Sequence, residues 1–339
     1  MSSGKQILYG ANVVLPALMA QRRQIIRALV QRRNPELLGK RRPPPRQEIP
    51  AIQRLLEERN IPVVDAFRYE LDRLTDGRPH NGLVLEVGEL PIERAQVLGQ
   101  VDLNAKTYEL HPQGLMPMPI HRRSMIRPPL WIFMDGITDP QNVGSIIRTA
   151  HYLGVDGITL PMRDSPPLGG TVSKASAGAL ELMRNVFHVR NTAKFLHDCQ
   201  ANGWEVAAGG KRPLPDLVED APLPIRSKVT KALVRKTGPI GSRPTVLILG
   251  SEHKGLRPSL LPLIDRYLWI PYGGPILPMA LRSDTTPSVA GAENGDRAAA
   301  NLAQEEDPIE SLNVNVAAGI LVSHLLATME GKPSIVLDS

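Results

Sequence analysis

The chain of 339 residues has a single cysteine, Cys199, so no internal disulfide and no cysteine-based zinc site can form. That usage suits a reducing compartment. The eight histidines are scattered and no HExxH pair occurs, so neither a structural nor a catalytic metal is expected. Aromatic residues make up only 4% of the chain, which argues against broad base-stacking surfaces. No GxGxxG follows the first strand of the alternating second half, and LGSEHKGL (249–256) is not a GxxxxGK[ST] loop. Dinucleotide-dependent dehydrogenases and P-loop enzymes are disfavoured on that ground. No secretory signal is visible after the opening MSSGKQ. The longest apolar stretch, LNVNVAAGILVSHLLATM (312–329), carries Asn313, Asn315, Ser323 and His324, which makes a bilayer span costly. It reads as a buried core helix, and no membrane association is expected.

Forty Lys and Arg stand against 34 Asp and Glu, a formal charge of +6 and a pI near 9.5. The excess leans toward an anionic partner such as RNA or DNA, although a basic protein without such a partner fits the charge equally well. The length allows two domains with buried cores. The first, 6–95, reads as a small α/β module. A helix is expected over ANVVLPALMAQRRQIIRALV, because Ile25, Ile26, Leu29 and Val30 recur at helical spacing. A second helix, AIQRLLEERN, and two strands, IPVVDAF and HNGLVLEV, follow it. Residues 96–128 hold Pro, Met, His and Arg without sustained period and read as a linker. From 129 to 335 continuous apolar strands alternate with helical segments, which predicts a mostly parallel sheet covered on both faces. Two inserts rich in Pro, Gly, Ser and charge, near 212–244 and 274–308, interrupt it.

Open parallel sheets bind ligands beyond the carboxyl ends of their strands. Three polar junctions sit at such ends: DGITDPQNVGSIIRTA (135–150), LGSEHKGL (249–256), and IPYGG (270–274) with SLNVNVAAG (311–319) after the insert. In this order they resemble the three motifs of the SpoU (TrmH) family of RNA ribose 2′-O-methyltransferases. TVSKASAGALE resembles the family's segment between the first two motifs. LYGANVVLPAL and HNGLVLEV are similar to its N-terminal substrate-binding module. Within the family, the wording of SKASAGALE and the inserts look most like the branch acting on fungal mitochondrial large-subunit rRNA.

The resemblance implies a knotted, SPOUT-type parallel-sheet methyltransferase domain preceded by a small ribosomal-protein-like RNA-binding domain. It implies S-adenosylmethionine as cofactor, large-subunit rRNA as partner, a homodimer with the active site at or near the dimer interface, and mitochondrial placement. The reaction expected is 2′-O-methylation of a nucleotide in that rRNA, a guanosine by resemblance. The alternatives are a tRNA methyltransferase of the same family and a non-catalytic rRNA-binding assembly factor.

By family position the catalytic group comprises Asn142, Arg148, Glu252, Ser311 and Asn313, and the cofactor group Leu249, Gly250, Ile270, Pro271 and Leu312. Methyl transfer needs the donor carbon in line with a ribose oxygen, so alignment and desolvation carry most of the barrier reduction. Asn142, at the start of its helix, can cap the helix and hold loops in place. Arg148 lies roughly 9 Å further along the helix. Its guanidinium stays protonated under ordinary conditions, so it is read as an electrostatic clamp on phosphate, with the proton passing to water or to a neighbouring group. Glu252 has two readings: ordering the loops through backbone N–H groups, or contacting Asn142 and Arg148. His253, Lys254 and Asn315 depart from the family's common wording.

Overall fold

The computed structural model describes residues 4–32, 48–210, 241–251, 255–270 and 312–332. Glu252, Pro271, Ser311, the basic loop 34–47, the 274–308 insert and most of the 212–244 insert lie outside the described residues.

The first unit alternates β1 (Gln6–Tyr9), α1 (Ala11–Ala20), β2 (Ile25–Gln31), α2 (Glu48–Glu58), β3 (Val63–Ala66), α3 (Arg68–Leu74) and β4 (Leu83–Val87). Its sheet runs β1-β4-β2-β3, with β3 at one edge. The helix expected through Ile25–Val30 is corrected here. Helix α1 stops at Gln21, whose left-handed φ of 55° turns the chain, and the apolar run after it becomes β2. Apolar pairs at such spacing fit a strand as well as a helix. The strand is decided by partners: β4 on one side and β3 on the other, with Arg27 crossing to Glu86 at 2.8 Å.

The second sheet has nine strands in the order β13-β11-β12-β8-β9-β10-β5-β6-β7. Here β5 is Arg94–Leu98, β6 Thr107–Pro112, β7 Met118–His121, β8 Leu130–Met134, β9 Gly157–Pro161, β10 Val186–Val189, β11 Glu205–Gly210, β12 Thr245–Leu249 and β13 Arg266–Trp269. From β13 to β5 all neighbours are parallel. Strands β8, β9 and β12 are buried along their whole length, as a sheet covered on both faces requires. Helices α4 (Pro140–Leu153), α5 (Gly170–Ala175), α6 (Ala179–Leu182) and α8 (Val314–Met329) contribute to the core on one face, and α7 (Thr192–Ala201) to that on the other. Cys199 lies on α7 in that second core, where burial pushes its thiol up to about 12.

The expected linker, 96–128, is also corrected. It adds the antiparallel strands β6 and β7 to the parallel sheet. In β6 the period-two burial of Tyr108, Leu110 and Pro112 is strand-like, and the Trp131 indole N–H donates to the Tyr108 hydroxyl at 2.6 Å. The end of the segment is tied down by Asp156, which accepts from Arg123 N, Leu130 N and the Arg127 guanidinium at 2.8–3.0 Å. The stretch TVSKASAGALELM breaks into α5 and α6, because Ala177 and Gly178 take φ values of 49° and 84°.

That break is where the two units meet. Arg23, on the turn before β2, places Nε and Nη2 at 2.8 and 2.9 Å from the two carboxylate oxygens of Glu181 on α6. Both side chains are 1% exposed. The remaining Arg23 donors reach Gln6 Oε1, Gly88 O and Leu168 O, and Arg22 donates to Leu180 O and Met183 O. Every donor of a buried guanidinium is thus answered, which such a group requires. Gly178 completes the fit: a Cβ there would lie 2.5 Å from Pro16 Cγ of α1.

Candidate active site

The first motif leaves β8 and enters α4. Asp139 caps the helix, accepting from Gln141 N at 3.0 Å and Asn142 N at 3.3 Å; Pro140 occupies its first turn and Gly154 closes its far end at φ 79°. Val143, Ile146, Ile147 and Ala150 form the buried stripe of an amphipathic helix. Gly144 lets α4 lie against α5, since a Cβ there would come within 2.9 Å of Val172 O and 3.0 Å of Ser176 N. Asn142 is 9% exposed at the start of this helix.

The third motif meets it there. Asn313 caps α8 through Asn315 N at 2.9 Å, and its own side-chain amide donates to Asn142 Oδ1 at 3.2 Å. The Asn315 amide also reaches Asn142 Oδ1, at 3.5 Å. Side chains 171 and 173 residues apart therefore converge on one buried oxygen. Amides do not titrate at ordinary pH, so this group orients without exchanging protons.

The second motif closes differently. Ser251 and Gly255 exchange backbone hydrogen bonds at 3.1 and 2.9 Å, pinching the loop between them. A Cβ on Gly250 would lie 2.6 Å from the Gly255 carbonyl carbon, so the backbones approach closely only because Gly250 has no side chain. This loop is fastened to the first motif: Asp135 N donates to Leu249 O at 2.7 Å, and the Asp135 carboxylate accepts from Arg257 N at 3.2 Å and contacts the Arg257 guanidinium. Arg257 also reaches Thr192 Oγ1 at 3.2 Å. Sequence reasoning missed Arg257, which lies one residue past the motif as read. The signal was Asp135: a carboxylate ending the apolar run LWIFM, here 1% exposed, requires a cation or several N–H groups.

Leu249 ends β12, and Ile270 follows β13 and packs against the core that contains α4 and α8. Leu312, 47% exposed, precedes the α8 cap. The peptide groups at 250 and 270 thus lie just past β12 and β13, at the carboxyl ends of parallel strands, whereas Leu312 lies two residues before α8. Backbone hydrogen-bonding groups past a strand end, as at Gly250 and Ile270, are of the kind that main-chain recognition of an adenosyl and amino-acid ligand requires. Arg148 stands apart. Six residues along α4 turn it by about 120° from Asn142 around the axis. It is exposed and, among the described residues, makes no hydrogen bond or ion pair.

The SpoU rRNA Methylase family model matches residues 129–277, and the model for RNA 2′-O ribose methyltransferase substrate binding matches residues 7–92. The mitochondrial rRNA methyltransferase 1 of Schizosaccharomyces pombe is 34% identical over 269 residues, covering 78% of this chain and 75% of that protein. The Homo sapiens protein of the same name is 31% identical over 333 residues, covering 98% and 76%. The AdoMet-bound rRNA methyltransferase of Sinorhizobium meliloti shares the fold, with a TM-score of 0.54 and 17% identity over 94% of this chain and 85% of that one. With the first and third motifs joined at Asn142, the first and second at Asp135, and relatives above 30% identity along most of its length, the chain belongs to the SpoU rRNA methylase family.

Proposed function

We propose that this protein methylates a ribose 2′-hydroxyl in mitochondrial large-subunit rRNA, at a guanosine, with S-adenosylmethionine as methyl donor. The observation that carries the reading is the Asn313–Asn142 hydrogen bond, which brings the first and third motifs together at the carboxyl end of the parallel sheet. The mitochondrial names of the two relatives support the compartment and the RNA, and the AdoMet in the S. meliloti structure supports the donor. When bound, S-adenosylmethionine supplies an electrophilic methyl group on a sulfonium.

The chain's own residues do the rest. The backbone at Leu249, Gly250, Ile270 and Leu312 holds the donor, and Pro271, outside the described residues, is assigned with them by family position. Asn142, fixed by Asn313 and Asn315, sets the mutual position of the loops; Ser311 and Glu252, outside the described residues, keep the catalytic assignment that family position gives them. Arg148, charged and uncommitted among the described residues, takes the phosphate beside the target ribose. A knotted arrangement of the motif loops and a homodimer packed along α4 and α8 belong to the same reading. The exposed Tyr152 (87%) and Val316 (47%) on those helices suit such a dimer contact.

Primer extension at low dNTP on mitochondrial large-subunit rRNA from cells lacking the protein tests this. A stop present in the complemented strain is expected to vanish in the deletion; an unchanged stop pattern would overturn the assignment. Affinity for an rRNA transcript is expected to fall at least tenfold between about 50 and 200 mM monovalent salt, as three or more phosphate contacts require. Filter binding across that range checks it, and a flat response would remove phosphate contacts from the account.

A further inference from the structure

Few aromatic residues are present, and their distribution is uneven. Three of the four phenylalanines, Phe133, Phe187 and Phe195, are buried in the second sheet's core. The fourth, Phe67, is 49% exposed, and Tyr69 beside it is 67% exposed. The two rings stack on each other, with centroids 5.8 Å apart and planes 13° from parallel. The Arg32 guanidinium lies 5.7 Å from the Phe67 centroid.

The arrangement is held by backbone. Phe67 is the cap residue of α3, and its N–H donates to Glu70 Oε2 at 2.7 Å. Arg32 N donates to Ala66 O at 2.8 Å, which anchors the arginine beside the end of β3. Glu70 is committed to the cap and so leaves the rings' surroundings without a competing free carboxylate from that residue. The Arg68 side chain next to Tyr69 is 77% exposed and pairs with Asp72 at 3.6 Å. A flat pair of rings, oriented before any ligand arrives and flanked by guanidinium groups, matches how proteins hold unstacked nucleobases: base on aromatic face, arginine on base or phosphate.

We propose that Phe67 and Tyr69, with Arg32 beside them, form a stacking platform for one unpaired base of the substrate RNA, remote from the methyl-transfer centre. The proposal rests on the reading of this module as RNA-binding. A protein strand adding to the edge at β3 is the rival occupant. That edge is only four residues long and carries the exposed Asp65, so it offers little template for pairing.

The test uses the full chain, an in vitro transcript of mitochondrial large-subunit rRNA, and RNA hairpins with 2-aminopurine in an otherwise uridine loop. Wild type is expected to quench the 2-aminopurine fluorescence. The Phe67→Ala/Tyr69→Ala double variant should lose the quenching and bind the transcript about 5- to 150-fold more weakly, the range for one base–aromatic stack. Its calorimetric affinity for S-adenosylmethionine should stay unchanged, and Tyr69→Phe should retain quenching. Undiminished binding and quenching by the double variant, with wild type binding normally, would overturn the platform alone. If wild type binds no rRNA transcript, the RNA reading fails and the platform with it. If the double variant keeps its RNA affinity but loses association with ribosomal proteins, the surface belongs to a protein partner and the proposal is wrong.

Discussion

Replacing Arg148 with alanine is expected to lower rRNA methylation by about 10²-fold while leaving S-adenosylmethionine binding intact. Removing one charged group that stabilises the transition state typically costs that much. The side chain is exposed and, among the described residues, has no polar partner, so its loss strands no buried group. Stability should therefore move by no more than about 0.5 kcal/mol. Arg148→Lys keeps the charge but loses the planar fork and should recover only part of the rate. Single-turnover methylation of an rRNA transcript, paired with calorimetry of the cofactor, separates these effects. A wild-type rate in Arg148→Ala would remove the residue from the mechanism. A lost rate together with lost cofactor binding would move it from the RNA to the cofactor loops.

The largest stability effect is expected at Glu181. Alanine there leaves the Arg23 guanidinium, 1% exposed, without its counter-ion. Removing one member of a buried pair costs about 3–5 kcal/mol. The other acceptors of Arg23, namely Gln6 Oε1, Gly88 O and Leu168 O, do not neutralise its charge. Arg23 belongs to the first unit and Glu181 to the second, so the variant can escape part of the penalty by undocking, which lets water reach the cation. The observed cost is then capped at the docking free energy, and cleavage should appear in the connection between β4 and β5. Denaturant unfolding and limited proteolysis together read both routes. A Glu181→Ala protein within about 1 kcal/mol of wild type, and equally resistant to protease, would contradict the seam as described.

How far the fold could be read depended on which interactions decided each segment. Strands β8, β9 and β12 were legible because both faces are covered, so their sequences are unbroken apolar runs. Helix α4 was legible because Val143, Ile146, Ile147 and Ala150 keep its period. The segment Ile25–Val30 was not, because its spacing satisfies either geometry and the strand is chosen by β3 and β4, which spacing does not display. Strands β6 and β7 were hidden by prolines, methionines and histidines that blur a period of two on a sheet's outer strands.

In the site, the order of the polar junctions was readable, and Asn142 and Asn313 do meet. The Asp135–Arg257 fastening was half readable: Asp135 at the end of an apolar run signals a need for a cation, but nothing local names a partner 122 residues away. Arg148 was read as a clamp on phosphate; helical geometry turns it away from Asn142, so that role depends on what comes to its outer face.

The burial of Cys199 has a practical corollary. A chain whose sole native sulfhydryl is buried and disfavoured as thiolate is a clean host for a single engineered thiol. A spin label or fluorophore attached beside Tyr69 or along the outer side of α4 would report from that position alone, so movements between the two units could be timed by spectroscopy without first stripping cysteines from the protein.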